Sequence, residues 1–357
     1  MPTDAGPKTI LILRPSALGD VARTVPALVS CHRAWPEARI DWLVNDSFTD
    51  AIAQHPHLNE AVVFPRRKFK RFGLSPAVTW SVLRYLQQIR KRRYDLVIDL
   101  QGLSRSGWIA RASGAPKRIG PADAREMGWL GYNRRIGISP KITHTVDRML
   151  AVVEGAGAAA CRDMRLYVAE ADRSWAEEKL NTAGRDAGPT VVVAPGALWD
   201  SKRWPADRFG RLVERLGLEE KFGRCVLVGT DRDRIGCEAL TEAIGSMYCL
   251  DLMGQTSVGQ LMAVIDRADL ILANDSAALH LARGLGRRCL GFFGPTDPQR
   301  VGPYRYDEGV VRCPDPGKTH YRHLKNDPTL MRQIDVETAW EQLTVVLQSD
   351  PPRTQFN

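Results

Sequence analysis

The chain has 357 residues, 44% hydrophobic and 25% charged, about twice the length of a typical domain, so two globular domains with full cores are expected. No run approaches the ~18 apolar residues of a membrane span, and the seven scattered cysteines contain no C-x-x-C; both exclude a spanning helix, a disulfide framework or a zinc ribbon and read as reduced thiols in a cytosolic protein. Charge is uneven: residues 1–160 carry 24 Lys and Arg against 13 acids (+11), residues 161–357 carry 26 against 28 (−2), so an anionic partner on the N-terminal half is expected, with nucleic acid, an anionic lipid surface and a phosphorylated glycolipid all fitting.

The polar N-terminus leads straight into the apolar strand Thr9–Leu13, so no signal peptide is expected. Arg14-Pro15-Ser16-Ala17-Leu18-Gly19-Asp20 follows, then a helix to about Trp35 that is amphipathic through Val21, Val25, Leu28 and Val29. Gly19 permits a tight turn, and Asp20 stands in the first turn of the helix, where an acid complements the macrodipole. The absence of G-x-G-x-x-G after this strand, and of G-x-x-x-x-G-K-[ST] anywhere, disfavours a dinucleotide dehydrogenase and a P-loop enzyme. Arg39–Val44 and Ala61–Phe64 read as the second and third strands. FPRRKFKRF, from Phe64 to Phe72, sets five cations among three aromatics. It reads either as a solvated loop or as a lipid contact in which Phe enters the interface and the cations meet phosphates. Arg90–Arg93 ends a helix, where cations are favoured anyway. Asp95–Leu100 is the fourth strand.

Small and turn-forming residues at Ala156–Ala160 and Asp186–Pro189 flank a helical stretch around Asp172–Ala183 and place the domain boundary, giving 1–165 and 166–357. Thr190–Ala194 restarts the pattern as a β-branched strand of a buried parallel sheet. It runs into Pro195–Pro205, whose last residue suits a first helical turn. Cys225–Val228 ends in Gly229-Thr230-Asp231-Arg232-Asp233, where Asp231 or Asp233 could meet a ribose hydroxyl. Next comes the strand Leu270–Ala273, then Asn274-Asp275-Ser276, which favours a turn and a helix N-cap. A helix through Leu279, Leu281, Ala282 and Leu285 ends at Gly286, and Cys289–Phe293 is a further strand. Asp275 and Ser276 thus stand at the C-terminal end of a strand, where open α/β sheets bind ligands and a helix N-terminus suits a phosphate. On spacing alone this is equally an ordinary βα turn with a capping acid.

Three stretches resemble glycosyltransferase family 9, the bacterial lipopolysaccharide heptosyltransferases and their relatives. They are Ser16-x-x-Gly19-Asp20-Val21 with Thr24-x-Pro26-Ala27-Leu28, Lys202-x-Trp204-Pro205, and Asn274-Asp275-Ser276-x-x-x-His280 with Phe293-Gly294-Pro295-Thr296-Asp297-Pro298. The region from Gln101 to Arg135 is similar to heptosyltransferase I. The resemblance covers about residues 9–348 and implies a GT-B fold: two α/β, Rossmann-like domains facing across a cleft, the N-terminal one for the acceptor and the C-terminal one for the nucleotide-sugar. It leaves open whether the last helix, Val336–Leu347, packs back on the N-terminal domain.

The resemblance further implies inverting transfer of a heptose from ADP-heptose to an inner-core lipopolysaccharide acceptor of the Kdo-lipid A type, peripherally at the inner face of the cell membrane. Asp20 is then the general base, a role a carboxylate can play toward a weakly nucleophilic sugar hydroxyl. Lys202 holds the donor phosphates and, with the backbone at Asp275–Ala277, stabilises the leaving diphosphate. Asp231, Asp275, Ser276, Ala277 and His280 fall on the donor side. Ser16, Gly19, Arg66, Arg67, Lys68, Gln101, Arg118 and Arg125 fall on the acceptor side, Arg118 and Arg125 offering planar forks to a carboxylate or phosphate. With no D-x-D pair near the phosphates, neither a metal nor a cofactor is expected, and no recognition fold points to nucleic acid. His144-x-x-Asp147-Arg148 also matches a family pattern, but reads better as a capping or core histidine.

Two positions depart from the family's habit: Ala277, where Gly is usual, and Ala197-Leu198, where hydroxyls are common. Both fall where donor phosphates belong. Another nucleotide-sugar, or a nucleotide-sugar- or anionic-surface-binding protein without transfer activity, therefore stays open.

Overall fold

The apolar runs become the strands of two parallel sheets in the computed structural model, which describes residues 6–71, 73–181, 188–234, 236–238, 240, 244, 248–316 and 326–355. The chain forms two compact units, one running to Met164 and including Gln355, the other Arg165–Thr354.

The first sheet consists of β1 (Thr9–Leu13), β2 (Arg39–Asn45), β3 (Glu60–Phe64), β4 (Leu96–Asp99), β5 (Lys117–Pro121) and β6 (Arg134–Ile136), in the order β3-β2-β1-β4-β5-β6. Every neighbouring pair is parallel, so each connection is a crossover and both faces need covering. The chain moves one way from β1 to β3 and the other way from β4 to β6. Right-handed crossovers therefore put α1 (Leu18–Ala34) on one face and α2 (Pro76–Lys91) and α3 (Ser104–Ala112) on the other. Alternate residues Leu11, Leu13, Leu43 and Val97 join Ile89 of α2 and Ile109 of α3 in one core. The helix α4 (Thr145–Ala156) packs on α1, and its N-cap His144 accepts the Val146 N–H, the capping role read from the sequence.

The second sheet repeats this order. Its strands are β7 (Thr190–Ala194), β8 (Arg224–Leu227), β9 (Tyr248–Asp251), β10 (Leu270–Asn274), β11 (Arg288–Phe293) and β12 (Val310–Arg312), arranged β12-β11-β10-β7-β8-β9. Around it lie α5 (Glu170–Asn181), α6 (Ala206–Glu219), α7 (Val258–Asp266), α8 (Ala277–Gly284) and α9 (Val336–Gln348). Its core centres on Trp204, stacked on Phe292 with centroids 4.1 Å apart and edge-on to Phe209 at 4.9 Å.

The apolar stripe of α9, Ala339, Trp340, Leu343 and Val346, is buried within the second unit against α6, β11 and β12. Gln355, which belongs to the first unit, donates to Asp163 at 3.0 Å. One expectation is corrected: the described aromatics of the basic run are not free to enter a lipid interface. Phe64 and Phe69 turn inward, 5.6 Å apart and edge-on to Tyr85; Phe72 lies outside the described residues. No helix among the described residues is long and apolar enough to cross a membrane.

Candidate active-site residues

Where the strand order of an open parallel sheet reverses, the loops diverge and leave a crevice at the strand C-termini. In the first unit this point lies between β1 and β4. Asp20 stands there, in the first turn of α1. Its carboxylate accepts the Ala17 N–H at 3.3 Å and meets two buried guanidiniums, Arg14 at 3.1 Å and Arg23 at 2.5 Å. Arg14 also donates to the Leu100 carbonyl just past β4, so one side chain joins the two strand ends that flank the reversal. Asp20 itself keeps 26% of its side-chain surface accessible. Burial alone would raise its pKa, but the charges of Arg14 and Arg23, with the Ala17 N–H, outweigh that and hold it well below the usual carboxylate range. Asp20 is an anion at any physiological pH.

At the end of β4 the buried Asp99 shapes the facing turn. One oxygen accepts the N–H groups of Gln101 (2.8 Å) and Gly102 (3.1 Å), the other the Tyr132 hydroxyl (2.6 Å). Burial raises the Asp99 pKa, and these donors offset it only in part. Gly102 is required here: its φ is +65°, and an added Cβ would stand 3.3 Å from Pro121. The half-buried Gln101 has an Oε1 shielded from solvent and without a partner among the described residues. Arg125 reaches the same edge through its N–H, which donates to the Gly102 carbonyl at 2.9 Å, and its side chain is exposed. Ser16 and Gly19 lie in the β1–α1 connection beside Asp20. Arg66, Arg67 and Lys68 are exposed after β3, two strands from β1.

Arg118 is corrected. It sits in the N-terminal part of β5, paired with Val97 rather than near Asp99. Its guanidinium donates to the carbonyls of Gly131 (3.1 Å) and Ala115 (2.5 Å), so it ties these loops together near the start of β5, not at the strand C-termini where Asp20 stands.

In the second unit the reversal lies between β7 and β10. Lys202, in a short turn after β7, reaches Asp275 after β10 at 2.6 Å and lies 5.4 Å from the Trp199 ring centre. The same Asp275 oxygen accepts the Thr296 hydroxyl at 2.8 Å. Asn274 locks the two loops, accepting the Trp204 N–H at 3.0 Å and donating to the Pro195 carbonyl at 2.6 Å. Ser276 is the N-cap of α8 but makes no side-chain capping bond, and its buried Oγ has no hydrogen-bond partner among the described residues. The first-turn N–H groups of such a helix point outward with partial positive charge.

Three donor-side expectations change in detail. The Asp275 N–H is engaged by the Phe292 carbonyl at 3.2 Å, so the backbone donors begin beyond it. His280 is a buried residue of α8, in the second turn rather than at the helix N-terminus. Of the two acids after β8, Asp233 is taken up by Thr230 (N–H 2.9 Å, hydroxyl 2.7 Å) and Arg203 (3.1 Å), whereas Asp231 is exposed beside Gly254. Ala277 opens α8 in helical conformation, so its Cβ costs the backbone nothing, and Leu198 points to solvent.

Sequence reasoning missed Arg14, Arg23, Asp99, Tyr132 and Thr296. Arg14 and Thr296 adjoin or lie within the quoted motifs, and Arg23 follows Asp20 at the helical i,i+3 spacing. Nothing local marks Tyr132, which meets Asp99 across 33 residues. Among the described residues no group of three His, Cys, Asp or Glu could hold a metal.

Comparison with known proteins bears on this arrangement. Lipopolysaccharide heptosyltransferase 1 of Pseudomonas aeruginosa is 28% identical over 297 residues, covering 83% of this chain and 81% of that protein. The enzyme of the same name from Escherichia coli K12 is 26% identical over 310 residues, covering 85% and 93%. Among solved structures, a family 9 glycosyltransferase from Veillonella parvula superposes with a TM-score of 0.79 at 21% identity, covering 97% of this chain and 99% of that one. The E. coli heptosyltransferase WaaC with ADP superposes with a TM-score of 0.76 at 24% identity, covering 95% and 99%. These likenesses confirm the GT-B class of fold. The model of glycosyltransferase family 9 (heptosyltransferase) matches residues 82–328, over two thirds of the chain, and with it the chain belongs to that family of glycosyltransferases.

Proposed function

We propose that this enzyme transfers a heptose, with inversion, from ADP-heptose to an inner-core lipopolysaccharide acceptor of the Kdo-lipid A type. One observation carries the reading: an ionised carboxylate, Asp20, occupies the reversal point of one sheet, and an ammonium beside a helix N-terminus, Lys202 with α8, occupies that of the other. The names of the relatives and the ADP in a superposed structure support the donor and acceptor classes. The positive N-terminal half supports an anionic acceptor, and with it a peripheral position at the inner face of the cell membrane.

In this reaction the acceptor hydroxyl oxygen bonds to the anomeric carbon while the bond from that carbon to the diphosphate oxygen breaks. The hydroxyl proton passes to Asp20, and ADP departs with the bonding pair. Arg14 and Arg23 orient the carboxylate and keep it ionised. They also weaken it as a base, so the proton moves late, once the forming glycosidic bond has made the hydroxyl acidic. Lys202 and the first-turn N–H groups of α8 meet the charge gathering on the diphosphate, supplying the positive charge without a metal or cofactor. Asp275 touches Lys202 and Thr296 rather than the anion and acts as a positioning residue. In this reading Asp231 takes a ribose hydroxyl, and Arg125, Gln101, Ser16 and Gly19 serve the acceptor.

The test is incubation with ADP-heptose and Kdo-lipid A, with mass spectrometry of the product and a parallel panel of UDP-, GDP- and CDP-sugars. Addition of one heptose from the ADP donor is expected. Transfer only from another nucleotide-sugar would overturn the donor assignment, and full turnover by a folded Asp20→Ala variant would overturn the base.

A further inference from the structure

The helical layer formed by α2 and α3 has an outer face that its own unit leaves uncovered. Ile89 alone is buried among the residues of α2. Tyr85 and Leu86 lean with it toward the sheet. On the opposite side Trp80 is 58% and Leu83 55% exposed, and Leu74, just before the helix, is 86% exposed. Arg84 lies 3.9 Å above the Trp80 ring, the contact that a spacing of four gives on one helix face. The adjoining α3 continues the face with Trp108, 68% exposed, and packs on a turn that exposes Leu130. Among the described residues, six of the ten exposed large hydrophobic residues, Leu74, Trp80, Leu83, Trp108, Met127 and Leu130, belong to α2, α3 and the turns beside them. Such a concentration marks an interaction surface rather than scattered exposure.

Charge decides the kind of partner. From Ala61 to Tyr94 the sequence holds ten lysines and arginines and no acid. Arg92 is engaged with Glu60 and Asp41. The turn Lys68–Arg71 packs against α2, with Arg66, Arg67 and Lys68 exposed before and at its start. A second copy of the chain would set these cations against their equals. A bilayer carrying anionic phospholipid satisfies both halves of the surface, since Trp and Leu settle at the headgroup boundary while Lys and Arg reach phosphates.

We propose that the outer face of the α2–α3 layer is the surface by which the protein lies on a bilayer containing anionic phospholipid, with Trp80, Leu83 and Trp108 in the interface. This deepens the proposed function and rests on it for a lipid-borne acceptor. It moves the apolar contact from the inward-turned Phe64 and Phe69 to the helix that follows them.

The test is cosedimentation of the full chain with vesicles of phosphatidylcholine alone or with about 30% phosphatidylglycerol. Binding is expected on the anionic vesicles, at least about tenfold weaker on the neutral ones and weakened by added salt. The exposed double variant Trp80→Ser/Leu83→Ser is expected to lower that binding about tenfold, with unchanged melting temperature, ADP affinity and transfer to a water-soluble, delipidated acceptor. Equal binding to neutral vesicles would overturn the proposal, as would wild-type binding by that variant combined with Trp108→Ser. So would self-association of the wild type, lost in the double variant, without vesicle binding. Anionic-vesicle binding lost in the double variant, from a wild type that transfers nothing to the soluble acceptor, supports the surface and counts against the catalytic reading alone.

Discussion

Lys202 and Asp275, 73 residues apart in the chain, meet at 2.6 Å where the second sheet reverses direction. If this site takes a diphosphate, as proposed, a carboxylate there is useful only when it holds a cation in place, and Asp275 holds Lys202 while also accepting from Thr296. Asp275→Asn keeps the shape and removes the charge. The expected result is ADP binding weakened about tenfold to a hundredfold, the range of a charge-assisted hydrogen bond. Lys202→Met is expected to cost at least as much, and the two changes together less than their sum, because they act on one interaction. Calorimetry with ADP measures all three. Tighter binding by Asp275→Asn would mean that the carboxylate competes with the ligand for Lys202, and the positioning role would be lost.

Asp20 makes a prediction about pH. Its folded pKa is depressed, so its ion pairs contribute stability above the unfolded carboxylate value of about 4 and lose it only as pH falls through the lower folded value. The same shift keeps the base ionised, so the transfer rate should show no fall from Asp20 between neutral pH and about pH 4. Arg23→Gln removes one of the two cations and should move the acid limb of the pH–rate profile upward. Asp20→Asn should lower kcat by about 10²–10⁴ and leave ADP affinity intact. An acid limb unmoved by Arg23→Gln would detach that limb from Asp20.

The legible parts of this molecule were those whose signal is local. β1, β7 and β10 are unbroken apolar runs, and the acids and cations that follow them lie within a few residues of the strand ends. β5 (KRIGP), β6 (RRI) and β12 (VVR) are short and carry charged residues, β6 and β12 as edge strands and β5 next to an edge, so no long apolar run marks them in the sequence. Arg118 misled for a related reason. Its sequence advertises a cation, but its position early in β5 puts it at the wrong edge of the sheet. The basic run misled through Phe64 and Phe69, whose rings pack against Tyr85 and the core. Nor could local sequence show that Asp20 lies between two arginines, since Arg14 is fixed by a carbonyl 86 residues away.

The pair of Tyr132 and Asp99 carries the turn that presents Gln101. Tyr132→Phe removes the hydroxyl that meets the buried carboxylate and leaves an oxygen short of its donor. A loss of about 1–3 kcal/mol is expected, read as a lower melting temperature. Asp99 has a raised folded pKa, so it disfavours the folded state as pH rises through that value, and the variant should lose less stability below it than at neutral pH. A loss that does not change with pH would show that ring packing, rather than the carboxylate, sets the cost.

Ala277 is the sharpest departure from the family's habit, and its geometry predicts that the departure is harmless. It opens α8, where the backbone is already right-handed helical, so glycine's freedom is not needed there. In the proposed function the diphosphate would be met by N–H groups, which alanine supplies as well as glycine does. The remaining question is whether the methyl group intrudes on the diphosphate. Ala277→Gly is therefore expected to leave ADP affinity and transfer rate within about threefold and to lower stability by less than about 1 kcal/mol, glycine's usual cost in a helix. An increase in ADP affinity of about tenfold or more, without change in melting temperature, would show that the methyl blocks the donor. The same increase confined to a nucleotide other than ADP would reassign the donor.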